Sequence, residues 1–153
     1  MYLRSYTPKD CEEIISLFYN TVHCINCKDY TKEQLLVWAP NTIDPSTWNR
    51  SFLEHQTLVA IEEEQIVGFA DLEEPNYLDR LYVHKDYQNR GIATLLCDKL
   101  EQTACSYKAT DIETHASITA RPFFEHRGYI VQKEQQVNRQ GILLTNYVMR
   151  KNF

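Results

Sequence analysis

Between residues 77 and 100 the chain reads as a strand, a tight loop and the opening turns of a helix, and no other stretch limits the possible folds as strongly. The strand ends in Leu81, Tyr82 and Val83, His84 to Tyr87 lead on, and the loop carries Gln88-x-x-Gly91-x-Ala93. Behind it, Ile92, Leu95, Leu96 and Leu100 recur at helical spacing, so one side of this helix faces a core. Gly91 and Ala93 fall where the first backbone N–H groups of a helix have no partner. Little side-chain bulk there lets an anionic group settle on those donors and on the positive end of the helix dipole. An ordinary tight strand–helix turn has the same local pattern, so the segment alone leaves both readings open.

The flanking elements alternate between helix and strand. Residues 2–6 read as a first strand. Thr7 and Pro8 open a helix as N-cap and first helical residue, with Cys11, Ile14, Ile15, Phe18 and Val22 as its apolar face. Thr31 and Gln34 have the form of a capping box for a second helix, which stops at Ala39-Pro40. Asp44-Pro45 starts a third, carrying Trp48 and Phe52. Residues 57–62 and 66–72 form a hairpin, followed by the strand 77–83, the long helix to about Ser106 and a strand from Asp111 to His115. A helix over 119–127, with Thr119 as N-cap and Gly128 at its C-terminal end, precedes two last strands, 129–137 and 142–150. The expectation is one α/β domain over 1–153, with a mostly antiparallel mixed sheet and helices on both faces.

At 153 residues the chain can bury a core of its own. Its net charge of −5 argues against a general nucleic-acid binder. No apolar run reaches the ~20 residues of a membrane helix, and Met1 to Asp10 lack the apolar stretch of a signal peptide, so a cytoplasmic location is expected. Of the five cysteines, Cys24 and Cys27 form a CxxC. It follows a helix and lacks a second ligand pair at matching spacing, so no metal is expected.

The segment around Gln88-x-x-Gly91-x-Ala93 resembles the acyl-CoA-binding core of the GNAT (Gcn5-related N-acetyltransferase) superfamily, marked by [Q/R]-x-x-G-x-[G/A] after a strand. A second motif, running from Ala116 through Arg121, Phe123, Phe124 and Glu125 to Gly128 and Tyr129, resembles the family's late helix, A-x-x-F-Y-E-x-x-G-F. Leu3-Arg4-x-Tyr6-x-Pro8-x-Asp10, the stretch Gly68 to Leu72, and Leu144-Thr145-Asn146 are similar to small bacterial members of the YafP-like branch, so the resemblance spans nearly the whole chain.

That resemblance implies an acetyl-CoA-dependent N-acetyltransferase acting on an amine of a small molecule, peptide or protein, with a possible homodimer. It implies that the N–H groups from Arg90 through Ile92 and Ala93 to Thr94, with Gln88 and Asn89 in the same loop, take the coenzyme A pyrophosphate. Leu81, Tyr82 and Val83 would hold the pantetheine arm as a neighbouring strand would, with Phe123 and Phe124 walling it. Lys85, Arg90 and Arg121 are candidate countercharges. Acyl transfer to a basic amine benefits from a base, since an amine of pKa near 10.4 is ~3.4 units, or roughly 4.6 kcal/mol, from neutrality at pH 7. Asp79 is the first candidate base, Asp71 the second and His115 a third. Plain strand alternation puts Tyr77, Asp79 and Leu81 on one face and Arg80 and Tyr82 on the other. Where the family often has a tyrosine to protonate the leaving thiolate this chain has Phe124, which leaves Ser117, Tyr82 or solvent. His23, Tyr30 and Trp38 are candidates for the acceptor wall. Acidic Asp29, Glu73 and Glu74 would favour a cationic acceptor. The alternative is a non-catalytic acyl-CoA-binding module of the same fold.

Overall fold

A computed structural model describes residues Met1–Phe153. Seven strands form one sheet in the order β1-β2-β3-β4-β5-β7-β6. They are β1 (Tyr2–Ser5), β2 (Gln56–Glu62), β3 (Gln65–Glu73), β4 (Tyr77–Val83), β5 (Asp111–Ser117), β6 (Ile130–Arg139) and β7 (Ile142–Asn152). All neighbours are antiparallel except β4 and β5. The helices are α1 (Cys11–Ile25), α2 (Lys32–Trp38), α3 (Pro45–Glu54), α4 (Ile92–Ser106) and α5 (Arg121–His126). This is the mixed α/β layout expected, with helices over both faces.

Two cores result, one on each side of the sheet. Ile14, Phe18 and Val22 of α1 pack with Phe52 of α3 and Phe69 of β3 on the first face. Ile92, Leu96 and Leu100 of α4 pack with Leu78 and Ile112 on the second. Both faces of β3 are therefore covered, and Ile66 to Leu72 are all buried, which hides the alternation a half-exposed strand would show. Gly68 is where α4 comes closest to β3. A Cβ there would lie 2.8 Å from Cγ2 of Ile92, a branch with no freedom to swing aside. Gly68→Val is expected to lower unfolding stability by about 1–3 kcal/mol, read as a drop in urea midpoint at unchanged slope.

Two local expectations are corrected. The last helix begins at Arg121 with Ala120 as N-cap, not Thr119. Ser117 Oγ accepts from the Ala120 N–H (3.0 Å), while the Thr119 hydroxyl donates to Asp29 (2.7 Å) and ties the loop after α1 to the end of β5. Nor does β4 alternate simply. Asp71 lies opposite Arg80 but Leu72 lies opposite Leu78, so Asp79 is an extra residue, a bulge. Leu78, Leu81 and Val83 consequently face the second core while Tyr82 faces the first.

Candidate active site

The parallel pairing of β4 and β5 is confined to Tyr77 with Glu113 and Leu78 with Thr114. Beyond it the strands part, because β5 continues along β7 as far as Ser117 opposite Asn146, while β4 stays with β3. The gap opens a cavity of about 1200 Å³ that runs from α4's N-terminus past Asp79 to Trp38 and Trp48. The ladder phase shows what β4 offers to it. His84 N–H donates to the Val67 carbonyl (2.9 Å), so Tyr82 and Phe69 form the next bonded pair, and the peptide groups of Leu81 and Val83 turn outward. Both outward groups of Leu81 face the gap. The Val83 carbonyl, however, already accepts from Thr21 Oγ1 of α1 (2.9 Å) and Gln88 Nε2 (2.8 Å).

Gln88 therefore works through its side chain as a clasp holding the loop to the strand. Gly91 is the N-cap of α4 at φ +81, in the left-handed region, and Asn89 is also left-handed at φ 61. A Cβ on Gly91 would meet nothing within 4 Å, so the space above it is open. The first bond of α4 is Leu95 N–H to the Gly91 carbonyl (3.0 Å), which leaves the N–H groups of Ile92, Ala93 and Thr94 pointing out of the helix end. Arg90 stacks over Tyr87 with a distant contact to Glu62 (3.9 Å), and Lys85 pairs with Asp86 (3.3 Å); both remain available to an anion.

The bulge gathers a charged group behind the cavity wall. Asp71 is fully buried and takes the Arg80 N–H (3.0 Å), the Arg80 guanidinium and His55 Nδ1–H (2.7 Å). It has no face to the cavity and no spare acceptor for an incoming proton, which corrects its place as a candidate base. Asp79 is one-third exposed and lines the cavity, with Arg80 Nη2 at 3.7 Å and His55 Nδ1 at 3.9 Å. Burial pushes the Asp79 carboxyl upward, Asp71 adds to that, and Arg80 and His55 oppose it. His55, Asp71 and Asp79 lie within metal-ligand reach of one another, but the Arg80 guanidinium already supplies the positive charge between them. The bond to Asp71 raises the His55 pKa. Protonated His55 therefore contributes stability that is complete below the ordinary imidazole value near 6.5 and is lost as pH rises through the raised one. Thermal unfolding followed across that window should show this slope, and His55→Gln should flatten it.

The remaining candidates divide. His23 lies outside the cavity, donating from Nε2 to the Ala39 carbonyl (2.8 Å) and stacking on Tyr19 (4.3 Å). Tyr30 lines the wall, yet its hydroxyl is engaged, donating to the Thr145 carbonyl (2.7 Å) and accepting from Ile118 N–H (2.9 Å). Trp38 lines it too and donates from Nε1 to the Tyr82 hydroxyl (3.2 Å). Ser117, His115, Phe123 and Phe124 all line the cavity, although Phe124 is only 2 % exposed and packs against Phe123 and Tyr129. Glu73, Glu74 and Asp29 are absent from the wall: Glu74 takes Tyr107 and Gln56, and Asp29 takes Thr119. The cationic preference inferred from them falls with that. Thr21, His55 and Arg80 were not foreseen. Thr21 could have been flagged as a polar residue on the apolar stripe of α1; His55 carried no local signal.

A parallel pair splayed beside the bare N-terminus of a long helix defines the architecture of an acyl-coenzyme-dependent transferase. The protein is similar over 99% of its length to a GCN5-related N-acetyltransferase structure from Rhodopseudomonas palustris (34% identity, TM-score 0.96, 95% of that chain). It is similar in fold to the PaiA N-acetyltransferase of Thermoplasma acidophilum, solved with coenzyme A (15% identity, TM-score 0.82, 99% and 98% of the two chains). The uncharacterized N-acetyltransferase YafP of Escherichia coli K12 is 34% identical over 148 residues, 97% of this chain and 93% of that one. The acetyltransferase (GNAT) domain family matches residues 26–151. The chain belongs to the GNAT acetyltransferase family.

Proposed function

We propose that this protein transfers an acetyl group from acetyl-CoA to a primary amine, as a single catalytic domain working in the cytoplasm. The observation that carries the reading is the convergence, in one cavity, of the outward Leu81 peptide, the bare α4 N-terminus and the carboxylate of Asp79. The PaiA structure of the same fold, solved with coenzyme A, supports the donor.

In this reading the N–H groups of Ile92, Ala93 and Thr94 take the pyrophosphate, with Arg90 and Lys85 as countercharges. Leu81 offers the pantetheine arm a strand edge, and Phe123 walls it. The raised carboxyl of Asp79 removes the proton of the incoming ammonium, directly or through water. The neutral amine then attacks the thioester carbonyl, its second proton leaves to solvent, and the C–S bond breaks. The coenzyme thiolate leaves as such or takes a proton from solvent or the Ser117 hydroxyl. Phe124 stands where many relatives have a tyrosine, and this favours, as a second reading, a module that binds acyl-CoA without turnover.

The first test is calorimetric titration with acetyl-CoA and with coenzyme A, followed by mass spectrometry of an amine panel. Binding with acetylated product supports the enzyme, and binding without product under every amine favours the sensing module. No binding of either ligand defeats both.

A further inference from the structure

The charges on the cavity wall do not match an acceptor that is only a cation. Asp79 is the single carboxylate lining it, whereas Lys28, Arg80 and Arg139 all line it, in a protein whose net charge is −5. Arg80 is neutralised by Asp71. Lys28 and Arg139 have no carboxylate within ion-pair distance, and of the two only Arg139 presents the planar fork that matches a carboxylate. Of the arginines, those at 4, 80, 90, 121, 127 and 150 each have a carboxylate within ion-pair distance; Arg50 and Arg139 have none, and only Arg139 of these two faces the cavity.

Its position separates it from the coenzyme phosphates. Arg139 ends β6 opposite Ile142, on the hairpin that Gln34 of α2 clasps at the Leu143 carbonyl (2.9 Å). It lines the same cavity as the Tyr82 ring. Tyr82 packs edge-on against Phe18 (4.9 Å) and tilted against Phe69 (5.6 Å), which puts it on the α1–α3 face of the sheet. The N-terminus of α4 belongs to the opposite face. Arg139 therefore stands across the sheet from the anion site, beside an aromatic wall of Trp38, Trp48, Phe18 and Tyr82.

Resting on the acetyltransferase reading, we propose that the acceptor is a small amine that also carries an anionic group, a carboxylate first among them, bound by Arg139 while its amine meets Asp79. Arg139 is exposed and loses little by remaining unpaired in water. When an apolar body covers it against Trp38 and Trp48, its pairing with a carboxylate strengthens because both are partly desolvated.

The test is steady-state kinetics with acetyl-CoA, using the L-amino acids paired with their α-carboxamides and with aminophosphonate analogues, on the wild type, Arg139→Gln and Arg139→Lys. The expected result is a preference for at least one acid over its carboxamide of about tenfold or more in kcat/KM, the size a charge-assisted hydrogen bond supplies. Arg139→Gln should collapse it to within about twofold, mainly through acceptor KM, Arg139→Lys should restore part, and acetyl-CoA binding should not change. If phosphonates alone show the preference, the anion is a phosphate and the carboxylate assignment is overturned. Carboxamides accepted as well as acids, an acid series that is inert while polyamines or peptides are acetylated, or a weakened acetyl-CoA affinity in Arg139→Gln would each overturn the proposal. All three outcomes leave acetyl transfer itself standing; only failure to bind acetyl-CoA, or binding with no turnover of any amine, removes that.

Discussion

Gly91→Glu is expected to abolish acetyl-CoA binding, raising Kd by at least about a hundredfold, with cooperative thermal unfolding retained. The residue sits at φ +81 with open space over its Cα, so a side chain there meets no protein atom and projects into the volume an anion would fill. A carboxylate in that volume repels the pyrophosphate and offers itself to the same N–H donors. Because any L side chain at this φ is strained by roughly 1–2 kcal/mol, backbone strain must be separated from charge. Gly91→Asn does this, since asparagine tolerates the left-handed region and brings no charge. It should cost some stability and keep binding within about tenfold. Calorimetry on both variants decides, and wild-type affinity in Gly91→Glu would remove the phosphate assignment from this loop.

Asp79→Asn should lower kcat by about 10²–10⁴ while leaving the Kd for acetyl-CoA within about twofold. The pH profile carries the sharper reading. The Asp79 carboxyl is held above the usual carboxylate range by burial and by Asp71 behind it. A base acts only when deprotonated, so kcat/KM should rise with pH along an acidic limb displaced upward from ~3.9, the ordinary aspartate value. Asp79→Asn should lose that limb. His55→Gln removes a cation that favours the charged form of Asp79, so its limb should move to still higher pH. An unchanged profile in Asp79→Asn would transfer the role to His115 or to water.

The motif residues and their surroundings differ in how far the chain alone reveals them. The 3-10 turn Pro8–Asp10 that Thr7 caps ahead of α1, and the helix starts at Thr31-Gln34 and Asp44-Pro45, were legible because capping and proline geometry act over three or four residues. The same holds for the loop at Gly91, where a positive φ and a small first turn leave a mark in the residue types themselves. Thr119 misled because a threonine before Pro122 looks like a cap, whereas its hydroxyl is spent on Asp29, ninety residues earlier in the chain.

What the amino-acid order determined by itself was the succession of elements, the two buried faces and the small-residue helix start at Gly91, all set by short-range sterics and hydrophobic period. Tertiary structure decided the site's chemistry. Whether Asp71 or Asp79 faces the cavity depends on one bulge, which arises from how β4 registers on β3 and from nothing local to either strand. His23 turns to the Ala39 carbonyl and not to the cleft because α1 packs on α2.

 The Ala39 carbonyl is brought within reach of its Nε2 only when those two helices meet. Arg139 comes to share a cavity with Tyr82 because the β6–β7 hairpin folds against α2, where Gln34 meets the Leu143 carbonyl 109 residues further along the chain. Charge pairing and solvent exclusion depend on distances in space, and no window along the chain contains them.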